Sequence, residues 1–156
     1  MGGGILPVAH HNGEVYLLFG QEVDDGMWSD FGGGRENRET PYQTAIREGV
    51  EELSGFLGSS KQIIRLVKKN SLGKVFINGY TTFLFEVNYD PKLPAFFNNN
   101  FRFIESKLPH LINKDGLFEK KAVQWFPAST LNRKKRIFRP FYRAILNEIV
   151  ERTKSD

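Results

Sequence analysis

Carboxylates crowd into one short stretch of this sequence, just after a run of three glycines. The stretch from Gly32 to Phe56 reads GGGRENRETPYQTAIREGVEELSGF. Glu48, Glu51 and Glu52 are three or four positions apart, so on a helix their head groups converge on one side, with Cβ atoms about 5–6 Å apart. Carboxylates at such short distances raise one another's pKa. Hard cations such as Mg²⁺ or Mn²⁺ relieve the repulsion and also bind substrate phosphates, so the stretch predicts a divalent metal held against a diphosphate.

Local signals predict the helix that carries these carboxylates. Thr40 is a good N-cap, Pro41 suits the first helical position, and Gln43 completes a capping box. Gly55 is a natural left-handed stop. Gly49 costs a helix interior roughly 1 kcal/mol relative to Ala, which indicates close packing of the helix against a sheet. The alternative is a solvated helix face with a charge run, which the combined spacing of glycine, arginine and glutamates disfavours.

The spacing resembles the Nudix box. That pattern is Gly, five residues, Glu, seven residues, then Arg-Glu-aliphatic-any-Glu-Glu-any-Gly-aliphatic. The glycine, arginine and glutamate positions are matched by Gly33, Glu39, Arg47, Glu48, Glu51 and Glu52. The chain departs from the pattern at Gly49, where an aliphatic residue is usual, and at Ser54, where the last glycine is expected. Arg38 replaces the small residue that commonly precedes the first glutamate, and it places a cation near the diphosphate.

The resemblance implies a metal-dependent hydrolase of phosphoanhydride bonds with Mg²⁺ or Mn²⁺ as cofactor. Carried over by position, the metal ligands are Glu48, Glu51, Glu52 and the Gly32 carbonyl. Glu39 and Arg47 match the family's orienting pair, in which the arginine steers a ligand carboxylate. The stretches WSDFGGGRE, REGVEELSGFLG and GLFEKKAVQWF are similar to a Nudix subset of large DNA viruses.

A general base is also required, because water at neutral pH is a poor nucleophile. In the family the base is a glutamate of the box or one from a later loop. Glu119 is the best later candidate here, since it directly precedes a predicted strand. The alternative is an exposed loop glutamate paired with Lys120 or Lys121.

Substrate recognition lies outside the box. Trp28 and Phe31 precede the glycines, and Tyr80 lies on a predicted strand, so each is a candidate to stack on a nucleobase. The alternative for each is a place in the core. Arg38 is the fourth candidate substrate contact.

Basic charge widens the range of anionic partners. The 156-residue chain has a formal net charge of +4 and a pI near 9.3. Its densest basic run is formed by Arg133, Lys134, Lys135 and Arg136. This run could bind RNA or extra phosphates. Alternatively, it could be a solvated surface on which the aliphatic parts of the side chains pack against the C-terminal helix. Small nucleotides, capped RNA and diphosphoinositol polyphosphates therefore stay open as substrates, and a non-catalytic nucleotide- or RNA-binding module is the alternative of another class.

Length and composition predict one domain over residues 1–156. The absence of cysteine excludes disulfides and thiolate sites and fits a cytoplasmic protein, in a host cell if the source is viral. No apolar run approaches the roughly 18 residues of a membrane span, so no membrane partner is expected. Monomer and homodimer both stay open.

The elements that must position the site follow from apolar patterns and turn residues. Strands are predicted at Ile5–Ala9, Val15–Gln21, Lys61–Lys68, Val75–Val87 with a bend at Gly79, and Ala122–Phe126. Asp90–Asn100 reads as a loop, Phe101–Leu108 as a short helix, and the last helix begins near Pro140. This order predicts an α/β protein with a mixed sheet between helices, an α/β/α sandwich, which is also the form of the Nudix fold.

Overall fold

A mixed seven-stranded sheet forms the centre of the molecule. The computed structural model describes residues 1–154. The strands are β1 Gly2–His11, β2 Glu14–Glu22, β3 Trp28–Ser29, β4 Phe31–Gly34, β5 Ser71–Ile77, β6 Tyr80–Glu86 and β7 Lys120–Pro127. Their order is β3-β2-β1-β6-β5, with β4 paired to β1 and β7 paired to β2. β1 and β6 run parallel, and the other pairs are antiparallel.

Helices cover both faces of this sheet. They are α1 Pro41–Leu53, α2 Ser60–Lys69, α3 Leu93–Lys107 and α4 Arg143–Lys154, with 3₁₀ segments at Pro109–Leu111, Ala128–Ile137 and Pro140–Tyr142. Because side chains alternate along a strand, Ile5 and Ala9 of β1 pack with α1, α2 and α3, whereas Leu6 and Val8 pack with α4. The predicted α/β/α sandwich is confirmed. Within residues 1–154, no helix is long and apolar enough to cross a membrane.

The prediction of a strand at Lys61–Lys68 is wrong, because this segment is helix α2. Ser59 caps it, and Gln62 completes a capping box with that serine. Ile63 and Val67, four positions apart, are its buried residues. The apolar run IIRLV suits a strand or a helix by composition, and the capping residues decide between them.

The segment Val75–Val87 contains two strands rather than the one long strand predicted, and the bend predicted at Gly79 is part of the turn between them. Asn78 and Gly79 adopt positive φ angles of 53° and 82° and turn the chain, so β5 and β6 form a hairpin. Two residues with positive φ suit a tight two-residue hairpin turn, for which Asn-Gly is the preferred sequence.

The predicted loop over Asp90–Asn100 ends early, since α3 begins at Leu93. Pro94 lies in the first turn of that helix, where a missing N–H is tolerated. The expected short helix is the second half of α3, which buries Phe97, Phe101 and Ile104.

Candidate active site

The helix that carries the carboxylates begins at a capping box, as predicted. Thr40 Oγ1 accepts a hydrogen bond from the Gln43 N–H at 3.1 Å, and Gln43 Oε1 accepts one from the Thr40 N–H at 2.9 Å. A Cβ atom on Gly49 would lie 2.4 Å from Ile5 Cδ1, so the glycine lets α1 pack closely on β1. The helix ends at Leu53, its C-cap Ser54 is left-handed with φ 51°, and Gly55, the predicted left-handed residue, follows with φ 82°.

Arg47 ties the loop before α1 to the helix itself. Its Nε and Nη2 donate to Glu39 Oε2 and Oε1, each at 2.9 Å. Its Nη1 donates to Glu48 Oε1 at 2.9 Å, and Nη2 also reaches the Gly34 carbonyl at 3.2 Å. The hydrogen bond from Arg47, with one from the Glu36 N–H, lowers the pKa of Glu39 from 4.5 to about 2. Arg47 thus holds the Glu48 carboxylate in one orientation.

Three carboxylates meet at the end of α1. Glu48, Glu52 and Glu119 each offer an oxygen, and these oxygens lie within 4.8 Å of one another. Burial, followed by the charge of Glu48, raises the pKa of Glu119. The structure therefore brings Glu119 beside two glutamates of the glycine-led stretch, although it is distant from them in sequence.

Glu52 is the buried member of this cluster. Burial raises its pKa well above the ordinary value, although the nearby Lys120 opposes the rise. Its Oε1 is a buried atom without a hydrogen-bond partner among the residues described, lying 3.8 Å from the Lys120 ammonium. A buried oxygen left in this state needs a cation or a donor to offset its lost hydration. The cluster therefore fits a hard divalent ion bound through carboxylate oxygens.

The other two predicted ligands lie differently. Glu51 is outside the three-carboxylate cluster, with its Oε2 3.9 Å from Arg47 Nη1. Burial and the charge of Glu48 raise the Glu51 pKa. Gly32 pairs with Gly4 of β1, and its neighbour Gly33 lies against Glu48, where a Cβ atom would be 2.6 Å from the carboxylate carbon. The glycines of β4 thus allow the strand to approach the carboxylates.

A buried lysine on the inner side of the cluster was missed from sequence. Lys120 is 1% exposed, and its Nζ lies 2.7 Å from Glu22 Oε1 and 3.0 Å from Ser29 Oγ. Burial acts to lower the pKa of Lys120, but the charges of Glu52 and Glu22 outweigh it and raise that pKa. Lys120 and Glu22 stand at strand ends, where charged residues normally face solvent, so no sequence signal distinguishes them.

A second missed group lies behind β4. Asp30 is fully buried and accepts hydrogen bonds from the Tyr80 and Thr82 hydroxyls, each at 2.7 Å. Burial raises the pKa of Asp30 to about 6, although both hydroxyls oppose the rise. A Cβ atom on Gly32 would lie 2.0 Å from the Tyr80 oxygen, so the glycine makes room for this contact. The arrangement fixes Tyr80 beside the glycine strand.

Solved structures of Nudix proteins resemble this chain. An Ap4A hydrolase of C. elegans, in a binary complex, has a TM-score of 0.56 and 14% identity, with 99% of this chain and 98% of that chain covered. RenU, a Nudix hydrolase of M. smegmatis, has a TM-score of 0.53 and 16% identity, with 99% and 86% covered. This chain has the Nudix fold.

Sequence similarity to known proteins covers less of this chain than structural similarity does. No protein-family model matches the chain. An uncharacterized protein of Acanthamoeba polyphaga mimivirus is 44% identical over 57 residues, which are 33% of this chain and 18% of the viral protein. The chain thus matches less than a fifth of that relative's length.

Two of the predicted stacking residues are core residues in this Nudix fold. Trp28 is 9% exposed and lies edge-on to Phe126 with ring centroids 5.1 Å apart. Phe31 is 0% exposed. Neither ring offers a free face, so the structure favours packing over base stacking for both, as the alternative interpretation held.

Tyr80 faces a cleft beside the glycines of β4. The cleft has a volume of about 350 Å³ and is lined by Tyr80, Gly32, Gly33, Gly34, Arg139 and Phe141, among others. The Phe141 ring lies 5.3 Å from that of Tyr80 and is 47% exposed. The Arg139 guanidinium lies 5.4 Å from the Phe141 ring centroid. Phe141 and Arg139 are further missed residues, because their roles depend on the approach of the segment before α4 to β4.

The predicted charged contacts lie at the surface. Arg38 is exposed in the loop before Glu39. Of the basic run, Arg133 and Arg136 are exposed, whereas Lys134 is half-buried with its Nζ 5.4 Å from the Phe126 ring centroid. Only part of the run therefore faces solvent freely.

Proposed function

We propose that this protein is a metal-dependent Nudix hydrolase that cleaves the phosphoanhydride bond of a nucleoside diphosphate linked to another group. The observation that carries the proposal is the carboxylate cluster of Glu48, Glu52 and Glu119, whose oxygens lie within 4.8 Å of one another. Such a concentration of partly and fully buried charge has no evident use in packing, whereas it suits a divalent cation.

Mg²⁺ or Mn²⁺ would be held by Glu48, Glu52 and Glu119. When bound there, such an ion would neutralise diphosphate oxygens and lower the pKa of a water molecule. Arg47 orients Glu48 through its 2.9 Å hydrogen bond, and Glu39 in turn holds Arg47. The Gly32 carbonyl remains a proposed ligand next to the cluster, and Glu51 is either a further ligand or the group that accepts the proton.

The proton acceptor is a glutamate with a raised pKa beside the cluster. Glu51 and Glu119 both meet this condition, since burial raises the pKa of each. A carboxylate that is committed to the ion is a poor proton acceptor, so only one of the two roles fits each residue. The position of Glu119 inside the cluster favours it as a ligand and leaves Glu51 as the base.

The substrate's nucleoside would enter the cleft beside β4. The exposed face of Phe141 offers a stacking surface for a base, with Tyr80 held in place behind it by Asp30. The C. elegans neighbour is an Ap4A hydrolase, which supports a nucleotide substrate. The net charge of +4 and the exposed Arg133 and Arg136 keep capped RNA and diphosphoinositol polyphosphates as alternative substrates.

A substrate panel tests the proposal. It contains nucleoside triphosphates, sugar nucleotides, dinucleoside polyphosphates, cap analogues, capped RNA and diphosphoinositols, each with Mg²⁺ and with Mn²⁺. Glu52→Gln serves as the blank, because it removes one cluster charge with little change in shape. We expect metal-dependent hydrolysis of at least one nucleotide compound by the wild type and not by the blank. Hydrolysis of none of them would instead support a non-catalytic binding module.

A further inference from the structure

A single ammonium group occupies the inner side of the carboxylate cluster. The Lys120 side chain is 0% exposed, and its Nζ lies 2.7 Å from Glu22 Oε1 and 3.8 Å from Glu52 Oε1. Ser29 Oγ accepts a further hydrogen bond from it at 3.0 Å. The ammonium therefore stands between one carboxylate of the cluster and one carboxylate outside it.

The fold builds a socket for this lysine. A Cβ atom on Gly20 would lie 2.8 Å from Lys120 Cδ and 2.9 Å from Phe31 Cε1, so only glycine leaves space for the stem at this point of β2. The Nζ lies 5.8 Å from the Phe31 ring centroid. Most lysines keep the charged head in water while the stem packs, whereas here the head itself is enclosed. Burying an ammonium is costly unless carboxylates surround it, which indicates a role in the site's charge balance.

Glu22 Oε1 contacts two cations of the protein. Besides Lys120, it lies 3.5 Å from Arg139 Nη1, and Arg139 also pairs with Asp25 at 3.3 Å. The negative charge of Glu22 is therefore already offset by two cations of the protein. If Lys120 were absent, Glu22 and Glu52 would face the same buried space with too little positive charge, and a divalent ion could take the place of the ammonium.

We propose that Lys120 is a built-in cation that fills the inner position between Glu22 and Glu52 and limits the substrate-free cluster to one divalent ion. That ion is held on the outer side by Glu48, Glu52 and Glu119. The inference rests on the proposed function, because it takes the cluster to be a metal site. Lys120 is a positioning residue here, since it acts on the cluster through Glu52.

Counting bound ions tests this inference. Mn²⁺ is titrated into the substrate-free protein by calorimetry and by electron paramagnetic resonance, with the thermal unfolding midpoint recorded at each step. We expect one tightly bound Mn²⁺ in the wild type and two in Lys120→Met. We also expect Mn²⁺ to raise the midpoint of Lys120→Met by more than that of the wild type, because the ion replaces the lost charge. The double variant Glu22→Gln/Lys120→Met should return to one ion.

A second variant keeps the inference testable if Lys120→Met does not fold. In Glu22→Gln the Lys120 ammonium stays in place but loses its nearest carboxylate. Glu52 is then the carboxylate that offsets its charge. We expect this variant to bind one Mn²⁺ about 10–100-fold more weakly, the usual effect of removing a group that supports a metal ligand. Unchanged affinity would overturn the inference.

The outcomes separate this inference from the proposed function. Two tightly bound ions in the substrate-free wild type, with hydrolysis retained, would overturn the role of Lys120 and leave the hydrolase intact. Equal ion counts and equal midpoint increments in the wild type and Lys120→Met would do the same. One ion in the wild type and two in Lys120→Met, without hydrolysis of any panel compound, would support Lys120 and overturn the hydrolase. No bound ion and no hydrolysis would overturn both.

Discussion

Arg47 and Lys120 are two cations that contact carboxylates of the site, and each contacts a different set of them. Arg47 holds Glu39 and Glu48 on the partly exposed side, and Lys120 holds the buried side next to Glu52. Arg47 donates direct hydrogen bonds to both partners, and its bond to Glu39 lowers the pKa of that carboxyl. Among the residues described, Glu52 Oε1 has no hydrogen-bond partner and lies 3.8 Å from the Lys120 ammonium, so this oxygen is less well satisfied than those that Arg47 holds. At the residue scale, the site is a set of carboxylates stabilised to different degrees.

The pair of Glu39 and Arg47 makes the protein's stability depend on pH in acid. The Glu39 pKa is lowered from 4.5 to about 2, so the stabilisation is complete above the ordinary pKa and is lost as the pH falls towards the lowered one. We expect Glu39→Gln to be less stable than the wild type at neutral pH, and the difference to shrink progressively between these two pH values. Urea unfolding of both proteins across this range measures it. A difference that stays constant would contradict the assignment.

Glutamine substitutions at Glu51 and Glu119 separate base from ligand. If Glu51 is the base, Glu51→Gln lowers kcat by about 10²–10⁴-fold while Mn²⁺ affinity is retained. If Glu119 is a ligand, Glu119→Gln weakens Mn²⁺ binding as well as turnover. Calorimetric Mn²⁺ titration beside kcat measurement distinguishes the two. Loss of Mn²⁺ affinity in Glu51→Gln but not in Glu119→Gln would make Glu51 the ligand and Glu119 the base.

Element geometry decides which parts of the fold can be predicted from sequence. The start of α1 is predictable because Thr40, Pro41 and Gln43 act locally. The apolar run of α2 suits a strand or a helix, and the local capping box of Ser59 and Gln62 is the signal that decides for a helix. The site has no such local signal, since Lys120 meets Glu22 across 98 residues of chain. Spacing along one helix reveals Glu48 and Glu52, whereas contacts between strands reveal the rest.

The C-terminal end of α1 carries strain that one substitution relieves. Ser54 adopts φ 51°, a conformation that costs residues other than glycine roughly 1–2 kcal/mol. Part of the gain from Ser54→Gly is lost to the greater freedom of glycine in the unfolded chain. We expect a net stabilisation of about 0.5–1 kcal/mol in urea unfolding. Ser54→Ala is the control, because it removes the hydroxyl but keeps the unfavourable φ, and it should give no gain.

The cleft between β4, β6 and the 3₁₀ turn at Pro140–Tyr142 tests the nucleoside position. Phe141→Ala removes the exposed stacking surface, which is worth about 1–3 kcal/mol per base. We expect KM for a nucleotide substrate to rise about tenfold or more, with a smaller change in kcat. Phe103→Ala is the matched control, since Phe103 is 56% exposed on α3 and does not line the cleft. Equal effects of the two variants would place the base elsewhere.

At the scale of the whole molecule, charge bears on the choice of substrate. The net charge of +4 attracts polyanions in general, and a local basic surface is needed to grip an RNA backbone. Arg133 and Arg136 are the exposed members of the basic run, and they lie in the Ala128–Ile137 segment that leads towards Arg139 and the cleft. An RNA whose end occupies the cleft would have these two arginines available for its phosphates.

Salt dependence measures this contribution. If RNA binds through the two arginines, Arg133→Gln/Arg136→Gln reduces the slope of log affinity against log salt by about 1.4, at roughly 0.7 per phosphate contact on a single strand. Lys68→Gln/Lys69→Gln, on exposed positions at the end of α2, removes the same charge elsewhere. Fluorescence anisotropy with a short RNA at several salt concentrations reports both slopes. Equal slopes for the two double variants would indicate attraction by net charge alone.

The parallel pairing of β1 with β6 governs the order in which the molecule assembles. Gly2 aligns with Tyr80 and Val8 with Glu86, so the central strand is synthesised long before its neighbour. Contacts this distant require loop closure before they give any stability, so they slow folding relative to contacts between neighbouring elements. Until β6 arrives, the apolar stretch of β1 has an unpaired edge that other chains can join. Because Glu119 and Lys120 follow later still, the carboxylate site is completed only when most of the chain has been made.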